Sequence, residues 1–186
     1  MKKVSMILLG TVLLMGLASC GSKKVATKNG GEVEIDMPCT GSEYRTDSKT
    51  FRATATDVST NRQVARDKAL TAARAELATE INTTMERVTD RYNSSYNVGE
   101  DDETRGKFQD LARAIVKQNL TGSVVICEKL TQDKEGKFHS YVCVELSGED
   151  LANKLKNGIS KDDKLRTDYE YEKFKQVFEE EMSKME

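Results

Sequence analysis

Apolar and polar residues alternate along "TFRATATDV" at 50–58. Phe51, Ala53 and Ala55 fall on one side, and Arg52, Thr54 and Thr56 on the other. A two-residue period predicts a half-buried strand. The period then changes. From about 61 to 92, Leu70, Ala73, Leu77, Ile81, Met85 and Val88 recur at three- and four-residue steps, which predicts a long amphipathic helix. Thr60 and Gln63 stand ahead of it with capping-box spacing. Ala65, Ala69 and Ala72 form a second, smaller strip beside the main one. Small side chains let the first turns lie close to whatever they pack on, and the larger residues that follow widen the gap. Asp67 and Arg74 flank the stripe on one edge and Glu76 and Glu80 on the other; Arg74 and Glu76 read as solvated.

A polar connection without periodicity covers 93–102. A second helix is predicted over 103–120, with Phe108, Leu111, Ala112, Ile115 and Val116 as its apolar face and Gly122 placed to end it. Two strands, 123–130 and 137–146, are joined by "TQDKEG", where Gly136 is the expected positive-φ residue. Gly148-Glu149-Asp150 opens a short helix through Leu151, Leu155 and Ile159, and Ser160 is a candidate cap for another. There Leu165, Tyr169, Phe174, Val177, Phe178 and Met182 draw a thin stripe on a charged background. Such a helix needs packing to hold it, across the domain or on a partner, and the domain core is the favoured reading. Earlier in the chain, Val33, Ile35 and Met37 alternate over 32–37, suggesting a short strand ended by Pro38, the chain's single proline. The fold class is therefore α+β. It is a small antiparallel sheet of three to four strands, with the long alanine-rich helix and the second helix on one face, plus a C-terminal helix.

The first residues follow a different logic. Lys2 and Lys3 precede an apolar run over 4–17 in which Ser5 and Thr11 are the polar side chains. The run is shorter than the roughly 20 residues of a spanning helix and has the three regions of an export signal. Leu17-Ala18-Ser19-Cys20 resembles a bacterial lipobox, in which the cysteine is acylated and the chain is cut before it. The expectation is a signal over 1–19, lipid on Cys20 and attachment to the membrane through that lipid. The alternative is an ordinary secretory signal with Cys20 there by chance. The small, polar residues 21–31 read as a flexible tether. The α+β domain is expected over 32–159, and the charged amphipathic helix over 160–186. Cys20 is followed by Gly21, Ser22, Lys23 and Lys24. No acidic cluster follows it of the kind that surface-displayed lipoproteins of some bacterial groups share. That favours an outer-membrane anchor facing the periplasm.

Composition narrows the partners and the core. The 186-residue chain has net charge −2, and loss of Lys2 and Lys3 makes the mature chain −4. Nothing is strongly basic, so nucleic acid is not expected as a partner. With 37% hydrophobic residues and no tryptophan, the core must rest largely on alanine, leucine, valine and isoleucine.

The run "FRATATDVSTNRQVARDKALTAARAELATEI", a strand, a polar cap and then Ala65, Ala69, Ala73 and Leu77, resembles the twenty-kilodalton Helicobacter lipoprotein antigen family. It is also similar to the N-terminal domain of the flagellar protein FlgT. The resemblance covers 50–146 and the lipobox. It implies a strand, a long helix, a second helix and a closing hairpin in a small envelope domain, commonly non-enzymatic. It transfers no catalytic residue. The short approach to the first strand and the long charged C-terminal helix depart from it.

Candidate chemistry centres on cysteine. Besides Cys20 the chain has Cys39, Cys127 and Cys143, and an oxidising compartment favours pairing. Counting outward from a turn centred near Glu135 places Cys127 opposite Cys143. Facing Cα atoms lie roughly 4.5–5.5 Å apart, within the roughly 4.4–6.8 Å that disulfides use. A Cys127–Cys143 bond would close a loop of about 15 residues, worth up to ~3 kcal/mol. An equally simple alternative sets Cys39 against one of the two, and a third reading takes all three as small buried residues. The same register sets Val124 and Ile126 against Leu146 and Val144 as one apolar patch, and Lys129 against Tyr141 and Val125 against Glu145 on a wetter face.

Other chemistry finds little support. His139 is the only histidine, and the thiols lack CxxC spacing, so no metal is expected. The acidic run 100–103 lacks the alternating ligands and glycine of an EF-hand. Nucleophilic catalysis would have to use His139, and there is no GxSxG, P-loop or dinucleotide fingerprint. The leading expectation is a lipid-anchored, non-catalytic envelope protein that needs no cofactor, has a structural or assembly role and works through an envelope protein partner. A second is a periplasmic module binding a cell-wall fragment or small apolar molecule, with an enclosed pocket between sheet and helices. A third, a hydrolase, requires a carboxylate within hydrogen-bond reach of His139 in a cleft.

Overall fold

In a computed structural model the described residues are 35–96 and 102–185. Residues 37–186 form one compact unit. The signal, the lipobox with Cys20 and the tether lie outside the described residues, as does most of the suggested strand at 32–37. Its described residues Ile35, Asp36 and Met37 are not in a strand.

Among the described residues the unit holds three strands and five α-helices: β1 (Thr50–Ser59), α1 (Arg62–Tyr96), α2 (Asp102–Asn119), β2 (Val124–Gln132), β3 (Phe138–Ser147), α3 (Gly148–Ile159), α4 (Asp163–Asp168) and α5 (Tyr171–Met182). The sheet is antiparallel in the order β1-β3-β2. Phe51, Ala53 and Ala55 of β1 lie opposite Leu146, Val144 and Val142 of β3, and this face carries the main core.

Two residues after β1 the chain turns into α1, which packs back over β1 and β3. Its cap is Asn61, not Thr60. The Asn61 side-chain oxygen accepts the Gln63 and Val64 amides at 2.9 and 3.2 Å, and the first helical bond runs from Ala65 N–H to the Asn61 carbonyl. Gln63 reaches forward to Asp67 rather than back. The buried line begins as Ala65, Ala69, Ala73, Leu77 and Ile81, while Leu70 and Ala72 are only half-buried. Thr84 and Thr89 also lie in the core. Each donates its hydroxyl to a carbonyl one turn back, of Glu80 and Met85, at 3.0 and 2.7 Å. A satisfied hydroxyl costs little to bury. Arg74, read as solvated, donates to the Ser123 hydroxyl at 3.1 Å.

Lengths explain the rest of the layout. Thirty-five residues of helix extend about 52 Å, whereas ten residues of strand extend about 33 Å. The far half of α1 therefore overhangs the sheet, and α2 and α5 pack on it. Tyr92 stacks on Tyr169 with ring centroids 5.0 Å apart, and Tyr169 stacks on Phe108 at 4.7 Å. Phe174 meets Phe108 at 5.1 Å. Leu165, Tyr169, Phe174, Val177, Phe178 and Met182 are all buried, so the C-terminal stripe serves the core. It is not one helix. Asp162 caps α4 by accepting the Lys164 and Leu165 amides, and the chain straightens at Tyr169–Glu170 before α5. The Glu170 amide there donates to the Tyr92 hydroxyl at 2.9 Å.

Gly122 does not end α2 through a positive φ. A 3-10 turn at Leu120–Gly122 follows, closed by Ser123, whose hydroxyl donates to the Leu120 carbonyl at 2.7 Å. In the hairpin turn Gly136 has φ +83°. No helix among the described residues is long and apolar enough to cross a membrane.

Candidate functional site

The second face of the sheet carries the chemistry-bearing residues. Arg52 and Thr54 of β1 stand there opposite Glu145 and Cys143 of β3, and Tyr141 and His139 continue the row. Cys127 of β2 lies opposite Cys143, and Lys129 opposite Tyr141. One irregularity changes the neighbourhood. The register shifts between Val125 and Cys127, so that Val125 pairs with Val144 and Val124 with Glu145. A bulge sets two residues of one strand against one of its partner. Val125 thereby packs on the main core, and Ile126 packs instead with Cys127 against the second-face cluster. The expected patch of Val124 and Ile126 against Leu146 and Val144 does not form, and Val124 is exposed.

Residues 37–49 lie across this face. Cys39 is bonded to Cys127, with Cα atoms 5.7 Å apart, and Cys143 is a free, buried thiol. The expected Cys127–Cys143 disulfide is thus corrected to Cys39–Cys127, although Cys127 and Cys143 do face each other. Cys39 arrives from above the sheet, from a segment whose lack of periodicity conceals where it runs. The three cysteines form one buried cluster, with Tyr44, Ile126 and Tyr141 packed against it. Cys39 is in the left-handed region, φ +60°, which a residue with a side chain rarely adopts. Thr54 donates its hydroxyl to the Cys39 carbonyl at 3.0 Å, and the Cys143 thiol donates to the Tyr44 carbonyl at 3.7 Å. Burial pushes the Cys143 thiol above its ordinary value, with Thr54 and Arg52 opposing and Glu145 reinforcing that shift.

The segment returns to β1 through Arg52. Its guanidinium bonds Asp47 at 2.6 Å, Glu145 at 3.1 Å and the Arg45 carbonyl at 2.9 Å. Thr46 Oγ1 accepts the Arg52 amide at 2.9 Å and donates to the Arg52 carbonyl at 3.1 Å. These bonds cover the outer edge of β1 at that point.

His139 does have a carboxylate in reach: Asp133 lies 2.9 Å from its Nε2. The pair sits at the hairpin turn. The His139 bond first, and then the Lys137 amide on the other Asp133 oxygen at 2.8 Å, hold the Asp133 carboxyl below its usual range. This arrangement closes a turn, and neither residue lines the cleft between α3 and α5 or the one along the outer side of α1. Among the described residues no group of three or more histidine, cysteine or acidic side chains could hold a metal ion. Asp102 opens α2, and Glu103 pairs with Lys107 and Lys164 at 3.5 and 3.2 Å.

Two open clefts have useful size. One, of about 460 Å³, lies where β1 begins and α3 meets α5. Ala152, Phe178 and Met182 are among its walls, and Lys49, Glu149, Lys175 and Glu179 supply charge of both signs. The other, of about 490 Å³, runs along the outer side of α1 past Val64, Lys68, Ala72 and Ala75 to Asp57.

Compared with known proteins, the chain matches no family model, no curated protein and no solved structure. The resemblance to the Helicobacter lipoprotein family and to FlgT rests on the residues that suggested it.

Proposed function

We propose that the chain is a lipid-anchored, non-catalytic envelope protein, held to the outer membrane through Cys20, facing the periplasm and acting through protein contacts. The observation that carries this reading is Leu17-Ala18-Ser19-Cys20 at the end of a short apolar run behind two lysines.

The compact unit supports a contact role in two ways. Its space between sheet and α1 is filled: Phe51, Ala53, Val142 and Val144 meet a helix line of Ala69, Ala73, Leu77 and Ile81, all buried. Its surface offers an edge strand, β1, beside Val58 and Val64, both exposed. Exposed edges and apolar side chains are where proteins meet. A photo-crosslinking residue placed at Val64 in intact cells tests this; a discrete protein adduct is expected, and its absence from both Val58 and Val64 counts against the reading.

A second reading, a module binding a cell-wall fragment or small apolar molecule, is favoured by the 460 Å³ cleft. That cleft lies at the surface rather than between sheet and helices. Titration with muropeptides, followed by NMR shifts at Ala152 and Phe178, separates the two readings.

A further inference from the structure

We propose that Cys39, Cys127 and Cys143 form a disulfide switch that pins or releases the segment lying across the second sheet face. In the pinned state Cys39–Cys127 is bonded and Cys143 is the thiol. In the released state Cys127–Cys143 is bonded and Cys39 is the thiol.

Three independent observations carry this. The strand register sets Cys143 directly opposite Cys127, and facing residues of an antiparallel pair lie roughly 4.5–5.5 Å apart at Cα, within reach of a disulfide. All three cysteines share one buried cluster, so the third thiol lies in the same packed group as the bond. Cys39 holds a left-handed backbone conformation at the place where the bond ties its segment down, and releasing that bond lets it leave.

The step balances without an outside oxidant or reductant. Cys143 gives up its proton, and its thiolate sulfur attacks Cys127 Sγ. The Cys127–Cys143 bond forms, the Cys39–Cys127 bond breaks, and Cys39 leaves with the electron pair and takes up a proton. One disulfide and one thiol exist before and after. Burial of Cys143 slows the step, because only the thiolate attacks. The groups facing it are Arg52, Thr54 and Glu145 on the sheet and Tyr44 on the covering segment.

The consequence is positional. Upstream of Arg45, the bonds described from this segment to the sheet are the disulfide, the Thr54–Cys39 hydrogen bond and the Cys143 thiol bond to the Tyr44 carbonyl, together with the packing of Tyr44. From there on, the Arg45 carbonyl, Thr46 and Asp47 stay tied to Arg52. Exchange therefore frees residues around 37–44, because the Cys143 proton that bonds the Tyr44 carbonyl is lost with it, and exposes the Cys39 thiol while leaving the sheet intact. The inference does not depend on lipid at Cys20.

The test is disulfide mapping of the full chain, quenched in acid, alkylated and digested without reductant. Trypsin cuts after Lys129, Lys134 and Lys137, so the two pairings give different linked peptides. Equilibrated with a trace of free thiol, the wild type is expected to yield both pairings, and the Cys143→Ala variant only Cys39–Cys127. In a glutathione buffer the Cys39→Ser variant is expected to form Cys127–Cys143 and keep a native circular dichroism spectrum. A wild type holding Cys39–Cys127 alone after equilibration overturns the proposal. So does a folded Cys39→Ser variant in which Cys127 and Cys143 both stay alkylatable.

Discussion

Arg91 Nη1 donates to the Glu181 carboxylate at 2.7 Å, tying the overhanging half of α1 to the last helix across 90 positions of sequence. Glu181 is only 6% exposed, and Lys184 completes its pairing. A nearly buried carboxylate is tolerated only when paired in this way. Arg91→Ala is therefore expected to lower stability by about 1–3 kcal/mol in urea denaturation.

The same carboxylate gives an acid dependence. Lys184 first, and then Arg91, hold Glu181 below its ordinary value. His139 does so for Asp133, and the Leu165 amide for Asp162. Each folded value lies below its unfolded one, so the stabilisation is full above the ordinary carboxylate range near about 4 and is lost progressively as pH falls below that range and through the lower folded values. Thermal melts from pH 7 to 3 should show a falling Tm, with a shallower fall for Glu181→Gln. An equal slope in both would contradict the pairing.

Phe174 is the centre of the aromatic group formed by Tyr92, Phe108 and Tyr169. Phe174→Ala should cost about 3–5 kcal/mol, whereas Leu130→Ala, at an exposed position, should stay within about 0.5 kcal/mol. Truncation after Ile159 removes Phe174, Val177, Phe178 and Met182 from the core and should abolish the cooperative transition.

The cap of α1 separates two neighbouring residues. Asn61→Ala should lower stability by about 0.5–2 kcal/mol, because the Gln63 and Val64 amides lose their acceptor. Thr60→Ala should change it by less than about 0.5 kcal/mol. Equal effects would return the cap to Thr60.

Loop closure across 88 positions contributes about 4–5 kcal/mol in the chain-entropy model, against about 3 kcal/mol for the shorter Cys127–Cys143 loop. Cys39→Ser under oxidising conditions should thus cost only about 1–2 kcal/mol, and full reduction of the wild type considerably more. Denaturation curves with and without reductant measure the difference.

What the sequence made legible was local. Alternation in 50–58, the three- and four-residue steps of α1, and the polar hairpin turn all lie within short windows, and β1, α1, β2 and β3 appear where those periods place them. The register of Cys127 with Cys143 follows from a turn of known length. The bulge at Ile126 was not legible, since one inserted residue leaves no mark on the sequence pattern while moving Val125 and Ile126 each to the face opposite the expected one. Thr84 and Thr89 were missed because a hydroxyl bonded to its own helix behaves as an apolar residue in the core. The break between α4 and α5 did leave a trace: Tyr169 and Phe174 are five residues apart, a step that no single helical face accommodates. Cys39 left none, because 37–49 has no period and its path is fixed by Thr54, Arg52 and Cys127, all distant in sequence.

The most direct measurement for the envelope reading is the intact mass of the protein extracted from its native membrane in detergent. A chain beginning at Cys20 and heavier by acyl groups on that residue is the predicted result. A chain recovered from the soluble fraction with an unmodified Cys20 thiol would contradict it.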